Sequence, residues 1–403
     1  MYIARQPIFD TEMNVYGYEL LYRDDRGSTS FGSADSDRST ATVLGGLFET
    51  GIDQIVGDKK AFVNFDQNFL NSESIRLIDP VTLIIEVLED TVFDDAVISR
   101  ISELRSLGYK IALDDFEYSE DTCHAENHAD MIKFDLILTP LDEIKNQVSR
   151  ALSQKKILVA EKIEDQDTYL KARKMGFQLF QGYFFSRPKI VAGLKSKKSG
   201  KAIYQHLLSE LHSEEPSFHR LASIIEKDVD MAYRVVKIGG NNKARDNSIR
   251  SILTRMGLIE LERWVSVLMI LDLSADKPQE LIRLSLLRSR FGELIAQHSN
   301  LKSRRHEVSL MCLFSVLDAM LDMPMNEAVE NLSVSEDIKD VLIRGEGPFA
   351  PVHDIIRFYE TGEGTPVCIS SEKLDIDQGE LFRWYIQSIE WSDRMMKIIS
   401  SNS

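Results

Sequence analysis

YKIALDDF, residues 109–116, is the stretch that decides how the first half of this chain folds. Its apolar run at residues 111–113 is typical of a buried strand, and the strand leads directly into Asp114 and Asp115. Two adjacent carboxylates repel each other unless a cation lies close to them, and a divalent cation with oxygen ligands is the usual solution. A solvated turn or the N-cap of a following helix is the alternative interpretation of this pair.

Strand-like and helix-like segments alternate through the rest of this half. Besides the opening stretch, we predict strands at residues 3–9, 15–23, 61–66, 83–89, 130–135, 156–161 and 178–185. We predict helices at residues 37–50, 94–107, 141–154 and 167–175. Strands that alternate with helices indicate a parallel sheet built from βα units, and the number of strands is close to that of a (β/α)8 barrel.

Polar side chains recur inside or at the ends of these predicted strands. They are Glu19, Asn64, Glu86, Asp114, Asp115, Lys133, Glu161 and Gln181. A parallel barrel brings the carboxyl ends of its strands to one face, so these residues from separate segments would share one pocket. Buried acids and lysines are uncommon unless they are paired or bound to something. Several of them on apolar strands therefore predict a functional site.

Composition limits the class of function. The chain has 403 residues, enough for two or three domains, and 43% of them are hydrophobic. Its net charge of −16 argues against a binder of nucleic acid polymers, which needs a basic face. A small phosphorylated ligand held by metals and one or two basic side chains stays compatible with that charge.

Cysteine spacing and hydropathy predict the compartment. The three cysteines, Cys123, Cys312 and Cys368, show no CxxC spacing and fit reduced thiols. The sequence MYIARQPIFD at the start is not a signal-peptide pattern. No apolar run approaches the roughly 20 residues that span a bilayer. We therefore expect a cytoplasmic protein that does not enter a membrane.

The second half of the chain has a different character. Residues 191–201 contain a lysine-rich run, LKSKKSGK, which predicts an exposed linker, with a phosphate-contacting tail as the alternative. Beyond it, apolar residues recur at spacings of three and four. We predict an all-helical domain over residues 202–403.

Seven ordered motifs of the first half carry a family resemblance. They are YELLYR (residues 18–23), VNFD (63–66), IEVLE (85–89), LDDF (113–116), IKFD (132–135), AEKIE (160–164) and QGYFFSRP (181–188). Over residues 1–190 the chain resembles the EAL domain family of cyclic di-GMP phosphodiesterases. The second half resembles an HDOD domain, a helical module of bacterial signalling proteins. That resemblance rests on residues 217–238, 261–270, 286–296 and 313–325.

The EAL resemblance implies a (β/α)8-type barrel with one antiparallel strand and two divalent ions, Mg²⁺ or Mn²⁺, bridged by a water. By position, it implies a first ion held by Glu19, Asn64, Glu86 and Asp114. It implies a second ion near Asp114, Asp115 and Glu161. Such a pair would open the cyclic dinucleotide to linear pGpG by in-line attack of water.

The same resemblance assigns the remaining roles. Lys133 would orient the water or offset charge on the phosphoryl group, and Gln181 would support the water and Glu161. Arg23 would contact the non-reacting phosphate, where its planar fork suits two oxygens. Asp135 and Gln181 would belong to the substrate-binding set, and Glu89 would anchor the loop that follows the paired aspartates.

That loop departs from the family pattern. The family continues with Phe-Gly and a glycine- and serine-rich segment, whereas this chain has Glu117 and further acids at Glu120 and Asp121. Two hypotheses follow. The first is an EAL barrel that hydrolyses cyclic di-GMP slowly or conditionally, with the HDOD domain as a regulatory or partner-binding module for other signalling proteins. The alternative is a catalytically inactive cyclic di-GMP sensor or protein-interaction scaffold. A homodimer is compatible with either.

Overall fold

The computed structural model describes residues 2–23, 51–88, 91–114, 123–182, 201–239, 248–273, 277–330, 332, 334–361 and 367–400. The described residues group into two compact units. The first is drawn from residues 1–186, 354–373 and 377–403, and the second from residues 187–353 and 374–376. The predicted domains, 1–190 and 202–403 with a linker at 191–201, were drawn from motifs and stay a prediction.

Eight strands form a closed barrel in the first unit. They are β1 (Tyr2–Asp10), β2 (Val15–Arg23), β3 (Lys60–Phe65), β4 (Leu83–Val87), β5 (Lys110–Leu113), β6 (Met131–Asp135), β7 (Ile157–Glu161) and β8 (Leu179–Phe180). Neighbours in sequence are neighbours in space. Strand β1 runs antiparallel to both β2 and β8, while the other pairs are parallel. The predicted barrel with one antiparallel strand is confirmed.

An apolar layer fills the interior of the barrel. Nearly every strand contributes one side chain to it: Ile8, Phe62, Ile84, Ala112, Met131, Val159 and Leu179. Strand β2 has Gly17 at the edge of this layer, and a Cβ there would lie 2.8 Å from the Phe62 ring. The absence of a side chain at Gly17 therefore makes room for that ring. This apolar layer fills the barrel below the carboxyl ends of the parallel strands, where functional residues of such barrels lie.

Helices connect the strands of the first unit. They span Ile52–Val56, Gln67–Leu70, Asp95–Ser106, Cys123–Glu126, Lys145–Ser153 and Gln166–Met175, and a 3₁₀ turn covers Glu73–Leu77. The predicted helix at residues 141–154 begins later than expected. Residues 141–144 form a turn after Pro140, in which the Glu143 amide donates to the Pro140 carbonyl at 2.9 Å. The predicted helix at residues 37–50 lies outside the described residues.

The described elements beyond residue 200 are all helical, which confirms the predicted helical half. They span Lys201–Leu211, Phe218–Ile225, Val229–Gly239, Ile249–Met256, Leu258–Leu273, Gln279–Gln297, Lys302–Arg304 (3₁₀), Arg305–Phe314, Leu317–Leu321, Met325–Glu330, Glu336–Arg344, Ala350–Thr361, Val367–Leu374 and Gln378–Ser400. Within the described ranges, none of the helices has the length and apolar character needed to cross a bilayer.

Asp94 caps the helix Asp95–Ser106, which packs beside β5. Its side chain accepts a hydrogen bond from the Val97 amide at 2.8 Å. We expect Asp94→Ala to lower the free energy of unfolding by about 1 kcal/mol, because this amide would lose its partner at the helix start. Urea titration followed by circular dichroism measures the change. Asp58→Ala, at a side chain that is 90% exposed, is the control and should leave the midpoint unchanged.

Candidate functional site

A polar layer lies directly above the apolar layer of the barrel. Side chains two residues apart on a strand point to the same face, so the interior face of each strand continues from an apolar residue to a polar one. Thus Ile84 is followed by Glu86, and Met131 by Lys133. The full set is Glu19, Asn64, Glu86, Asp114, Lys133, Glu161 and Gln181. The structure therefore brings seven of the predicted site residues to one end of the barrel.

Lys133 lies at the centre of this layer, with 1% of its side chain exposed. Its Nζ is 2.7 Å from Glu86 Oε1, 2.8 Å from Asp114 Oδ1 and 2.8 Å from Glu161 Oε1. Glu19 Oε1 lies further away, at 3.8 Å. Four carboxylates from four strands thus surround one ammonium, so negative charge exceeds positive charge by three when all five groups are ionised.

Glu19 is oriented by two amides rather than by Lys133. The Gln181 Nε2 group donates to Glu19 Oε2 at 2.6 Å, and the Asn64 Nδ2 group donates to Glu19 Oε1 at 3.2 Å. Gln181 follows β8 and Asn64 belongs to β3, so these bonds join the two strands on either side of the β1–β2 pair. They fix the direction of the Glu19 carboxylate within the layer.

Asp135 lies two residues beyond Lys133 on β6 and is 3% exposed. Its Oδ1 accepts hydrogen bonds from the Ile137 amide at 2.7 Å and the Leu138 amide at 3.1 Å, while Lys162 Nζ pairs with its Oδ2. These contacts hold the pKa of Asp135 below its usual value in spite of burial. Lys162 was not predicted as a site residue, although it lies within the AEKIE motif at residues 160–164.

The charges in the polar layer depend strongly on one another. Burial raises the pKa of Glu86 well above its usual value; Lys133 opposes this effect, and the nearby carboxylates add to it. Burial likewise raises the pKa of Glu161, against the opposing ammonium of Lys133. Burial alone would lower the pKa of Lys133, but Asp114, Glu161, Glu19 and Glu86 together raise it well above its usual value. The layer is therefore short of positive charge.

The donor atoms of this layer suit a hard divalent cation. Asn64 Oδ1, Glu86 Oε2 and Gln181 Oε1 have no hydrogen-bond partner among the described residues, and Glu86 is fully buried. These oxygens, together with the surplus negative charge, match the carboxylate and carbonyl ligands that Mg²⁺, Mn²⁺ and Ca²⁺ prefer. In the parts of the chain that the structure describes, no group of three or more Asp, Glu, His or Cys side chains is arranged around a metal position. In this layer the carboxylates are instead directed at Lys133 Nζ.

Three predicted residues are not placed in this site. Asp115 and Glu89 lie outside the described residues, as does the altered loop at residues 117–121. Arg23 is the last residue of β2, four residues beyond Glu19 on the same strand. Their predicted roles stay predictions.

A model of the EAL domain family matches residues 61–188. Along nearly its whole length the chain is similar to YuxH of Bacillus subtilis, named as an uncharacterized protein. The two are 30% identical over 98% of this chain and 99% of YuxH. The chain is also similar to the cyclic di-GMP phosphodiesterase CdgJ of Vibrio cholerae, with 29% identity over 99% of this chain and 94% of CdgJ. This chain belongs to the EAL domain family.

Among solved structures, the chain is similar to BlrP1 of Klebsiella pneumoniae in a complex with calcium and cyclic di-GMP. That match has 22% identity and a TM-score of 0.39, and it covers 46% of this chain and 55% of BlrP1.

Proposed function

We propose that this protein is a cyclic di-GMP signalling protein whose barrel hydrolyses cyclic di-GMP to linear pGpG with divalent metal ions. The observation that carries this proposal is the convergence of four strand-end carboxylates on the buried Lys133. Burying four carboxylates beside one ammonium costs folding free energy, and a barrel with a purely structural role does not require such a cluster. The similarity to CdgJ along the whole chain supports the choice of substrate.

Two metal ions would be held by the oxygens of this layer. Glu19, Asn64, Glu86 and Asp114 are assigned to the first ion, and Asp114, Asp115 and Glu161 to the second. When bound, Mg²⁺ or Mn²⁺ supplies an activated water and offsets the charge that develops on the phosphoryl oxygens.

The protein's own side chains orient the components of the reaction. Gln181 and Asn64 fix the Glu19 carboxylate through hydrogen bonds of 2.6 and 3.2 Å. Lys133 Nζ holds Glu86 and Glu161 at 2.7 and 2.8 Å, and places a fixed positive charge in a dry site.

We assign the binding of the substrate to residues that lie beyond the polar layer on their strands. Arg23 would bind the non-reacting phosphate with its guanidinium. Asp135 is assigned to the substrate-binding set, and its pairing with Lys162 adds a partly exposed ammonium close to the rim of the site.

In the reaction, the oxygen of a water forms a bond to phosphorus and the bond from phosphorus to the ribose O3′ breaks. The O3′ atom leaves with a proton, and the linear product carries a 5′-phosphate.

The helical half is proposed as an HDOD domain that regulates the barrel or recruits other signalling proteins in the cytoplasm. The sequence stretches at residues 217–238, 261–270, 286–296 and 313–325, which resemble that domain, support this proposal.

One sequence observation favours a second candidate, a cyclic di-GMP sensor without turnover. Glu117 replaces the flexible glycine of the family, and Glu120 and Asp121 add two further acids to the sequence that follows the paired aspartates.

One experiment separates these candidates. Purified protein is mixed with cyclic di-GMP and Mn²⁺ or Mg²⁺, binding is measured by calorimetry, and turnover to pGpG is followed by chromatography on the same sample. We expect binding with turnover that stops when EDTA is added, because the carboxylates need divalent ions to act. Binding without turnover would support the sensor, and the absence of both would contradict the proposed function.

A further inference from the structure

The ammonium of Lys133 occupies the point at which the carboxylates of the site converge. Three carboxylate oxygens, from Glu86, Asp114 and Glu161, lie within 2.8 Å of Nζ. Three carboxylate oxygens at ion-pair distance offset the single positive charge of the ammonium. The lysine is 1% exposed, and water therefore contributes little to compensating its charge.

The same oxygens are the ones that metal ions would need. Glu86 and Asp114 are assigned to the first ion, and Asp114 and Glu161 to the second, so each proposed metal position shares ligands with Lys133. The two side-chain amides of the layer, from Asn64 and Gln181, are not paired with the lysine. Asn64 Oδ1 and Gln181 Oε1 have no hydrogen-bond partner among the described residues.

We propose that Lys133 is the internal counter-ion of this metal site. It holds the carboxylates together in the metal-free protein, and it competes with the incoming divalent ions for their oxygens. This inference rests on the proposed function, which supplies the metals. It follows that Lys133 weakens metal affinity, while it keeps the barrel end folded when metal is scarce. Lys133 thus sets the metal concentration at which the site fills.

Lys133→Met tests this directly, because methionine fills a similar volume without charge. Mn²⁺ is titrated into the full-length protein without nucleotide, and free Mn²⁺ is measured by electron paramagnetic resonance. We expect the variant to bind Mn²⁺ about tenfold more tightly than the wild type, since a unit positive charge beside the ligand oxygens is gone. In EDTA it should melt at a lower temperature than the wild type, and Mn²⁺ should raise its melting temperature by more.

Lys277→Met is the matched control. Its side chain is also 1% exposed and its Nζ pairs with Asp322 at 2.6 Å, but it belongs to the second unit. This variant should bind Mn²⁺ as the wild type does, and Mn²⁺ should shift its melting temperature by the wild-type amount. A change of Mn²⁺ affinity in both variants would mean that loss of any buried lysine has this effect, and would overturn the proposal.

The proposal is also overturned if Lys133→Met binds Mn²⁺ with equal or weaker affinity and shows the wild-type melting shift. Lys133→Gln, which removes the charge and keeps a hydrogen-bond donor, provides the same readout if the methionine variant does not fold. A wild-type protein that binds no Mn²⁺ would contradict the metal dependence of the proposed function itself. The two failures are therefore distinguishable.

Discussion

Replacing Glu86 by glutamine will lower kcat/KM for cyclic di-GMP by a hundredfold or more. Glu86 is fully buried, one of its oxygens is 2.7 Å from Lys133 Nζ, and the other has no partner among the described residues. Glutamine keeps the shape but removes the negative charge that a divalent ion needs. Loss of one ligand to a catalytic metal costs several kcal/mol of transition-state stabilisation, which is on the order of a hundredfold or more.

Glu126→Gln is the matched control for this prediction. Glu126 is equally buried in the same unit, but it pairs with Arg150 outside the polar layer. Its replacement should leave kcat/KM within about twofold of the wild type once folding is checked by circular dichroism, because Glu126 does not touch the site. Equal losses in both variants would show that the effect comes from buried acids in general, and would count against the assigned role of Glu86.

Gly182→Ala will destabilise the barrel and displace Gln181, which precedes it. At Gly182 the φ angle is +148°, and a Cβ would lie 2.2 Å from the Ile163 nitrogen and 2.4 Å from its carbonyl oxygen. The Ile163 amide also donates a hydrogen bond to the carbonyl of Gln181, the residue before Gly182, at 3.1 Å. We expect a loss of about 3–5 kcal/mol in the free energy of unfolding, from backbone strain and overpacking together.

Gly51→Ala separates these two causes. Gly51 also has a positive φ, +80°, but no atom lies within 4 Å of the position of an added Cβ. The Gly51→Ala variant should therefore lose less, about 1–3 kcal/mol, which is the cost of holding a residue with a side chain in a sparsely populated region of φ and ψ. Urea titrations of both variants measure the difference. If Gly182→Ala is no less stable than Gly51→Ala, the close approach at Ile163 does not constrain Gln181.

Much of the site could be predicted because the barrel imposes a simple geometry. A short apolar run followed by a polar residue, as in the stretch before Asp114, places that residue at the end of a strand. Parallel strands then bring all such ends to one face. Lys133 and Glu161 were found in this way, from nothing more than their position on predicted strands.

Other features depend on contacts that no local pattern encodes. The pairing of Lys162 with Asp135 joins two neighbouring strands, and its ammonium could as well have pointed into solvent. The short distances around Lys133 depend on the radius and stagger of the closed barrel. The late start of the helix Lys145–Ser153 reflects the turn after Pro140, where helical periodicity alone favoured an earlier start.

Isotope labelling of the product gives the most direct test of whether this polar layer is a hydrolytic site. Full-length protein is incubated with cyclic di-GMP and Mn²⁺ in ¹⁸O-labelled water, and the product is analysed by mass spectrometry. We predict linear pGpG with one ¹⁸O atom in its terminal phosphate, because the oxygen of water attacks phosphorus and the ribose O3′ leaves. Recovery of intact, unlabelled cyclic di-GMP from protein that binds Mn²⁺ would contradict hydrolysis at this site.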